Sequence, residues 1–340
     1  MSQKTKHILV IRLSAMGDVA MTVPVLRALT TQYPELNITV LTKALFTPFF
    51  RNMNNLTVFP ADLKGKHKGL FGLYLLAQQL NKANRFYAVA DLHNVLRSQI
   101  LKPFLKCRRF VTINKGRREK RALVKGKEFK PLATTHQRYA DVFKVLGCPV
   151  DLSHPDFPPK AELSDQILGV IGEGPQKRIG IAPFAAHKGK QYPLESMEVV
   201  IAALAKEYKI LLFGGGKEEI AALNKMESRF KNVVSVAGKF TLEEEMDVIS
   251  NLELMVSMDS GNGHIAAMLG IKTLTVWGVT HPYAGFAPFH QPEHHALLPD
   301  RDQYPRIPTS VYGNTYPEGY ERAAGSIPPE TILKKIRSVI

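Results

Sequence analysis

The sequence predicts an α/β protein of two successive doubly wound parallel sheets, each a domain of its own. Three observations carry this. Short β-rich runs alternate with amphipathic helical windows through the first half, the order that βαβ units produce. The alternation breaks between residues 148 and 176, where Pro149, Pro155, Pro158, Pro159 and Pro175 fall in a partly acidic stretch. It then restarts and runs to Trp277. With 340 residues and 45% hydrophobic content, the chain can give each half a substantial core.

In the first half, residues 7–11 read as a strand, 18–32 as a helix, 37–41 and 56–59 as strands, 70–82 as a helix and 86–90 as a strand. The domain expected from this spans residues 1–155, and 156–175 is the expected connection, with a short helix near 164–171. In the second half, strands are expected at 178–182, 209–213, 233–236, 254–258 and 271–277, with helices at 193–207, 218–230, 242–251 and 265–269, the last stopping at Gly270. Residues 278–327, rich in Pro, Gly, His and Tyr, read as loops packed on the sheet ends. A terminal helix at 328–340 completes the second domain, 176–340.

The formal net charge of +15 implies anionic partners: nucleic acid, an acidic membrane surface or a phosphorylated substrate. Between residues 102 and 130 a dozen Lys and Arg face only Glu119 and Glu128, and Lys64, Lys66 and Lys68 form a second basic knot. The one-sided sign favours an anion-binding surface over a merely solvated face. Only Phe104, Phe110 and Phe129 interleave with the basic stretch, so stacking platforms for single strands are poorly supported and no nucleic-acid partner is expected. Cys107 and Cys148 are the only cysteines, which leaves no disulfide framework and no CxxC motif. The apolar run that meets Arg12 is too short for a signal-peptide core, and no run approaches the roughly 18 apolar residues that span a bilayer. The expected location is the cytoplasm, with peripheral contact at the inner face of the cytoplasmic membrane left open.

Residues 256–282 are the most informative stretch. Asp259, Ser260, Gly261 and His264 sit where a buried strand gives way to a helix. A helix that starts at Ser260 and Gly261 aims free N–H groups and its positive dipole end past the carboxyl end of a strand, so the site suits an anion, most often a phosphate. His264 reads equally as a satisfied structural histidine and as a ligand contact.

Asp18 lies in the loop after the first strand. There it is placed to take a proton from an attacking hydroxyl, or to serve as a first-turn residue favoured by the helix dipole. The dipole weakens such a base, so catalysis requires compensating desolvation.

In the second half, residues 183–193 put Lys188 and Lys190 in a Gly-containing loop after a strand. Such lysines pair with a diphosphate or simply decorate a surface loop. The turn Phe213-Gly214-Gly215-Gly216 permits close backbone approach, and Glu218 or Glu219 beyond it can accept hydrogen bonds from a ribose. The chain has neither GxGxxG after a first strand nor GxxxxGK[ST], which argues against a dinucleotide oxidoreductase and a P-loop NTPase.

Together and in this order, SxMGDV near the N-terminus, KxxP after the connection, and DSGxxH followed by VWGVTHP resemble the bacterial heptosyltransferases and their relatives in glycosyltransferase family 9, over most of the chain. The resemblance implies the GT-B fold: two Rossmann-like doubly wound parallel-sheet domains facing a cleft, with the nucleotide sugar in the C-terminal domain and the acceptor in the N-terminal one. It implies an inverting, metal-independent transfer of a sugar, commonly heptose from ADP-heptose, to the inner core of lipopolysaccharide. No cofactor is expected besides this nucleotide-sugar co-substrate.

Position by position, Asp18 matches the catalytic base and Lys190 the lysine that neutralises the donor phosphates, with Lys188 and Gly215 also on the donor side. Asp259, Ser260, Gly261 and His264 match the donor-binding element, and Glu218 or Glu219 the ribose-binding glutamate. On the acceptor side, Ser14, Arg97, Arg117, Arg118, Lys120 and Arg121 are expected to meet an anionic glycolipid at the inner membrane face. Ala15 stands where a second serine is common, and Gly263 where Ser or Met usually precedes the histidine. Asp300-Arg301-Asp302, near His294 and His295, is similar to the acidic metal motif of other glycosyltransferases, but loop carboxylates are ordinarily solvated and no metal is expected.

A monomer is expected. Two other readings stay open: a nucleotide-sugar epimerase of the same architecture, which needs no acceptor, and a non-enzymatic basic protein that binds nucleic acid or a membrane surface.

Overall fold

In the computed structural model, which describes residues 6–340, the alternation closes into two parallel sheets. Residues 1–5 of the expected first domain lie outside the described part. The chain divides into two compact units, Met1–Lys115 with Thr135–Asp156, and Gly116–Thr134 with Phe157–Ile340. A single boundary near residue 155 therefore does not describe the chain, because residues 116–134 belong with the second unit.

Up to that boundary the chain runs β1 (His7–Ile11), α1 (Met16–Ala20), α2 (Thr22–Gln32), β2 (Asn37–Thr42), β3 (Leu56–Pro60), α3 (Gly69–Ala83), β4 (Phe86–Asp91), α4 (Leu96–Leu101), β5 (Cys107–Thr112), α5 (Arg117–Val124) and α6 (Thr135–Leu146). All but α5 build the first unit. Its sheet order is β3-β2-β1-β4-β5, every pair parallel. The expected helix over 18–32 is two helices that meet at Met21. β5 was hidden by its sequence, CRRFVT, because a sheet-edge strand can leave its arginines exposed. Leu9, Ile11, Leu73, Leu76, Leu80, Val89 and Leu101 form one buried layer between the sheet and α3 and α4.

The second unit continues with α7 (Asp165–Ile171), β6 (Arg178–Ala182), α8 (Leu194–Leu204), β7 (Lys209–Leu212), α9 (Lys217–Glu227), β8 (Val233–Ser235), α10 (Leu242–Ser250), β9 (Leu254–Met258), α11 (Gly261–Met268), β10 (Thr273–Val276), β11 (Ala296–Leu297) and α12 (Pro329–Val339). The short helix α7 is where the Pro-rich stretch predicts one, with Ser164 accepting the Ile167 N–H at its start. The sheet order is β11-β10-β9-β6-β7-β8, again all parallel. Its core is aliphatic, with Ile179, Ile181, Ile210, Leu254 and Val256 buried against Met197, Ile201, Ile332 and Ile336 of α8 and α12. Gly270 ends α11 with φ +81, a left-handed residue where a helix C-terminus favours glycine.

Each sheet reverses its winding once. In the first unit the chain leaves β1 for β2 and β3 on one side and returns to β4 and β5 on the other. In the second it leaves β6 for β7 and β8 and returns to β9 and β10. Loops after the strands at such a reversal part and leave a crevice at the carboxyl edge, which is where open α/β sheets hold ligands. Asp18 follows β1, and the loop 92–95 follows β4; Lys190 follows β6, and Ser260 follows β9. Among the described residues no helix is long and apolar enough to cross a membrane.

Candidate active site

In the first unit the polar residues at the reversal are held before any ligand arrives. Asp18 lies in the first turn of α1, with its side chain 27% exposed. Its Oδ2 stands 2.6 Å from Arg12 Nη2 and accepts the Ala15 N–H at 3.2 Å. Both contacts fall on the same oxygen, so Oδ1 is the one left toward solvent. Arg12 is itself buried and donates through Nη1 to the Leu92 carbonyl at 2.8 Å, which ties the β1 loop to the end of β4. Tyr139 of α6, fully buried, donates its hydroxyl to the Asp18 carbonyl at 3.2 Å.

The loop after β4 adds a histidine. Burial first, then the charges of Arg12 and Lys115, push the His93 imidazole down to about 3, so it is neutral at physiological pH. Its Nδ1 accepts the Leu13 N–H at 3.4 Å, which leaves the proton on Nε2. Asp91, fully buried, accepts the backbone N–H groups of His93 and Asn94 at 3.0 and 2.9 Å and thereby shapes this loop. Arg97 is exposed in the first turn of α4, and its charge is felt by His93. Ser14 is half-buried beside Arg12 in sequence.

In the second unit the centre is an ion pair. Lys190 Nζ lies 3.0 Å from Asp259 Oδ2, with the two side chains 15% and 8% exposed. Thr280 donates its hydroxyl to the same oxygen at 2.9 Å. Lys190 is held there by two glycines. A Cβ on Gly278 would strike the Gly189 carbonyl, which instead accepts the Val279 N–H at 2.7 Å, and a Cβ on Gly313 would strike the Lys190 stem. One oxygen of Asp259 is thus engaged by both Lys190 and Thr280.

Ser260 is the N-cap of α11, yet its side chain makes no capping bond, and its buried Oγ has no hydrogen-bond partner in the protein. A buried hydroxyl without a partner at a helix N-terminus carries a desolvation cost that an incoming acceptor oxygen removes. Gly261 and Gly263 occupy the first turn, and a Cβ at Gly263 would meet Ser257 Oγ of β9, so the helix start sits directly on the strand. His264 is buried in the same turn.

After β7, Glu219 Oε2 accepts the Gly215 N–H at 2.8 Å and spans the glycine turn, whereas Glu218 is exposed. Lys188 is exposed as well. Asp300 Oδ1 accepts the Asp302 N–H at 2.8 Å, so one of the two carboxylates of the acidic loop motif is engaged in a local turn.

One group of expected residues is not where the sequence reading put it. Arg117, Arg118, Lys120 and Arg121 lie on α5, which belongs to the second unit and not to the one that carries Asp18. Lys120 is buried, with its ammonium 3.9 Å from the centre of the Phe286 ring, so packing and cation–π attraction hold it. Periodicity shows that a helix exists but not which sheet it packs on.

Sequence reasoning missed Arg12, His93, Asp91 and Thr280. The available signal was weak but real: Arg12 directly follows a wholly apolar run, and Asp91-Leu92-His93 sets two polar groups at the end of another. A polar residue at the carboxyl end of a buried strand points at the crevice.

Two parallel α/β units, each with polar loops at its winding reversal, make the GT-B architecture. The family model described as glycosyltransferase family 9 (heptosyltransferase) matches residues 74–307, and the chain belongs to that family. Lipopolysaccharide core heptosyltransferase OpsX of Haemophilus influenzae is 24% identical over 98% of this chain and 92% of its own length. A family 9 glycosyl transferase from Veillonella parvula superposes with a TM-score of 0.75 at 19% identity, covering 100% of this chain and 98% of that one. The E. coli heptosyltransferase WaaC with ADP gives 0.69 at 17% identity, over 98% and 100% of the two chains. The epimerase and non-enzymatic readings give way to a glycosyltransferase.

Proposed function

We propose that the protein is an inverting, metal-independent transferase that moves a heptose from ADP-heptose to the inner core of a lipopolysaccharide. The observation that carries this reading is Lys190, fixed by Asp259 beside the unpartnered Ser260 hydroxyl at the start of α11. The names of the relatives support the sugar and the acceptor: OpsX is a lipopolysaccharide core heptosyltransferase, and WaaC has been solved with ADP and with ADP-2-deoxy-2-fluoro heptose.

In this reaction an acceptor hydroxyl attacks the anomeric carbon as the bond to the diphosphate oxygen breaks. Asp18 Oδ1 takes the hydroxyl proton while Arg12 and the Ala15 N–H hold Oδ2. The electron pair leaves with the nucleoside diphosphate. Lys190, the Ser260 hydroxyl and the N–H groups that open α11 meet the charge that grows on it. Groups already oriented before the reaction need no reorganisation during it, which is the role of Asp259 and Thr280 toward Lys190.

Glu219, whose carboxylate already lies over Gly215 at the end of β7, is better placed than Glu218 for the ribose hydroxyls. Ser14 and Arg97, at the loops that also carry Asp18 and His93, suit an anionic acceptor. The protein is taken to act as a monomer at the cytoplasmic face of the inner membrane, with the nucleotide sugar as its only co-substrate.

The test is product analysis with ADP-heptose and a heptose-deficient core acceptor. ADP release that depends on acceptor, with inversion at the anomeric carbon, is expected, and Asp18→Asn should lower turnover about 10²- to 10⁴-fold. ADP release without acceptor, or full activity of Asp18→Asn, would overturn the reading.

A further inference from the structure

We propose that the face of the first unit formed by the start of α3 and the turn at residues 102–106 is a docking surface for a bilayer containing anionic lipids. It deepens the glycolipid-acceptor reading, on which its purpose rests.

α3 buries Leu73, Leu76, Ala77 and Leu80 in the core, as an amphipathic helix should. Its first two turns also expose Leu70 (70%), Phe71 (72%), Tyr74 and Leu75. These positions share one side of the helix. Phe104, also exposed, meets Tyr74 edge to face with ring centroids 5.4 Å apart and extends the patch across to the neighbouring turn. One exposed leucine needs no explanation, but a contiguous group of five large apolar side chains marks a binding surface.

Lysines rim this patch, and the backbone that carries them is fixed. Lys64, Lys66 and Lys68 are exposed on the loop before α3, and Lys102 and Lys106 on the turn beside it. Between the first three, His67 is buried: its Nε2 lies 3.1 Å from Gln79 Oε1 and its Nδ1 accepts the Asp62 N–H at 3.0 Å. A Cβ on Gly72 would strike the His67 backbone, so only glycine lets the loop lie on the helix. Asn81 fixes the second turn by donating to the Phe104 carbonyl and accepting the Lys106 N–H, both at 2.8 Å.

The sign of the charge decides the partner. From residue 63 to residue 118 the only acidic residue is Asp91, which is fully buried and bound to backbone N–H groups. Asp62, at the border, is turned onto the Gly65 and Lys66 N–H groups at 2.9 and 3.1 Å. An apolar patch flanked by lysines on two neighbouring segments matches an interface with apolar chains below anionic headgroups. The 102–106 turn precedes β5 at the amino edge of the sheet, and the face runs from it along α3 to Leu70 and Phe71 at the carboxyl edge, the edge that also carries Asp18. This end of the face therefore lies on the side of the sheet where the proposed base sits.

The test is flotation with vesicles of phosphatidylcholine alone and of an equal mixture with phosphatidylglycerol. The native protein should bind the mixture and not the neutral vesicles. Leu70→Gln with Phe71→Gln, and separately Lys64→Glu with Lys66→Glu and Lys68→Glu, should each weaken binding about tenfold or more. Both variants should keep the native melting temperature and the native rate of transfer to a delipidated, soluble acceptor. Equal binding to neutral vesicles, or native binding by both variants, would sink the proposal. So would sedimentation showing a native dimer that Leu70→Gln with Phe71→Gln dissociates, because the face then belongs to a second copy. Vesicle binding that depends on both patches, with no transfer to any acceptor, would uphold the surface and reject the transferase reading instead.

Discussion

Arg12 Nη2 stands 2.6 Å from Asp18 Oδ2, closing an ion pair across the loop that leaves β1. The arginine is buried and tied to the Leu92 carbonyl, so the carboxylate is fixed relative to both strands that flank the winding reversal. In the proposed reaction, a base held this way presents its second oxygen in one direction before any acceptor arrives, which is how orientation contributes to rate.

Arg12→Lys keeps the charge but loses the fork that reaches Asp18 and Leu92 together. We expect turnover to fall about tenfold or more with little change in the KM for the nucleotide sugar, since the loops proposed to hold the donor are on the other sheet. Steady-state kinetics with both substrates varied would check this, and an unchanged kcat would show that Arg12 is only structural.

Lys190→Met removes the cation that meets the leaving diphosphate in the proposed reaction, and it leaves Asp259 buried without its counter-charge. Turnover should drop about 10²- to 10³-fold, and the melting temperature should fall as well. Adding Asp259→Asn to Lys190→Met should restore the melting temperature but not the turnover. Recovery of both together would mean that the pair is only a fold element.

Ser260→Ala deletes a hydroxyl that has no hydrogen-bond partner in the protein, so thermal stability should be unchanged or slightly higher. Affinity for ADP should fall about tenfold or more, the usual worth of a hydrogen bond to a charged group. Calorimetric titration of ADP distinguishes this from an inert surface hydroxyl, for which no affinity would be lost.

Glu245 on α10 carries a different kind of signal. Burial alone pushes its carboxyl from the ordinary 4.5 up to about 7. The folded state then favours the protonated acid, so this group opposes folding increasingly as pH rises from 4.5 through 7. Glu245→Gln should raise the melting temperature at pH 8, by at most about 3 kcal/mol of stability, and change it little at pH 5. Melts at the two pH values decide it; an equal shift at both would place the effect in packing and not in ionisation.

Much of the fold was legible in the chain, because period and punctuation are local. Strands such as His7–Ile11 and Leu254–Met258 are mostly apolar and buried on both faces, and Gly270 marks the end of α11 as its φ of +81 requires. β5 was not legible, since an edge strand with exposed arginines has no buried face to declare it. The places of the proposed donor residues were legible for a similar local reason: Ser260 and Gly261 sit just past β9, and Lys190 lies in the loop after β6, where parallel sheets present their loops.

The chain by itself determined that there are two parallel sheets, that a helix opens at Ser260 and Gly261 directly after a buried strand, and that Asp18 and Lys190 lie in the stretches that follow β1 and β6. These follow from residue spacing within about twenty positions, over which backbone geometry decides where a side chain goes. Only the tertiary structure decided that Asp259 pairs with Lys190, that Arg12 is tied to the Leu92 carbonyl at the end of β4, and that α5 packs with the second sheet. Each of those depends on which strands become neighbours. That choice is made by burying apolar surface that is distant in sequence, and no local pattern records it.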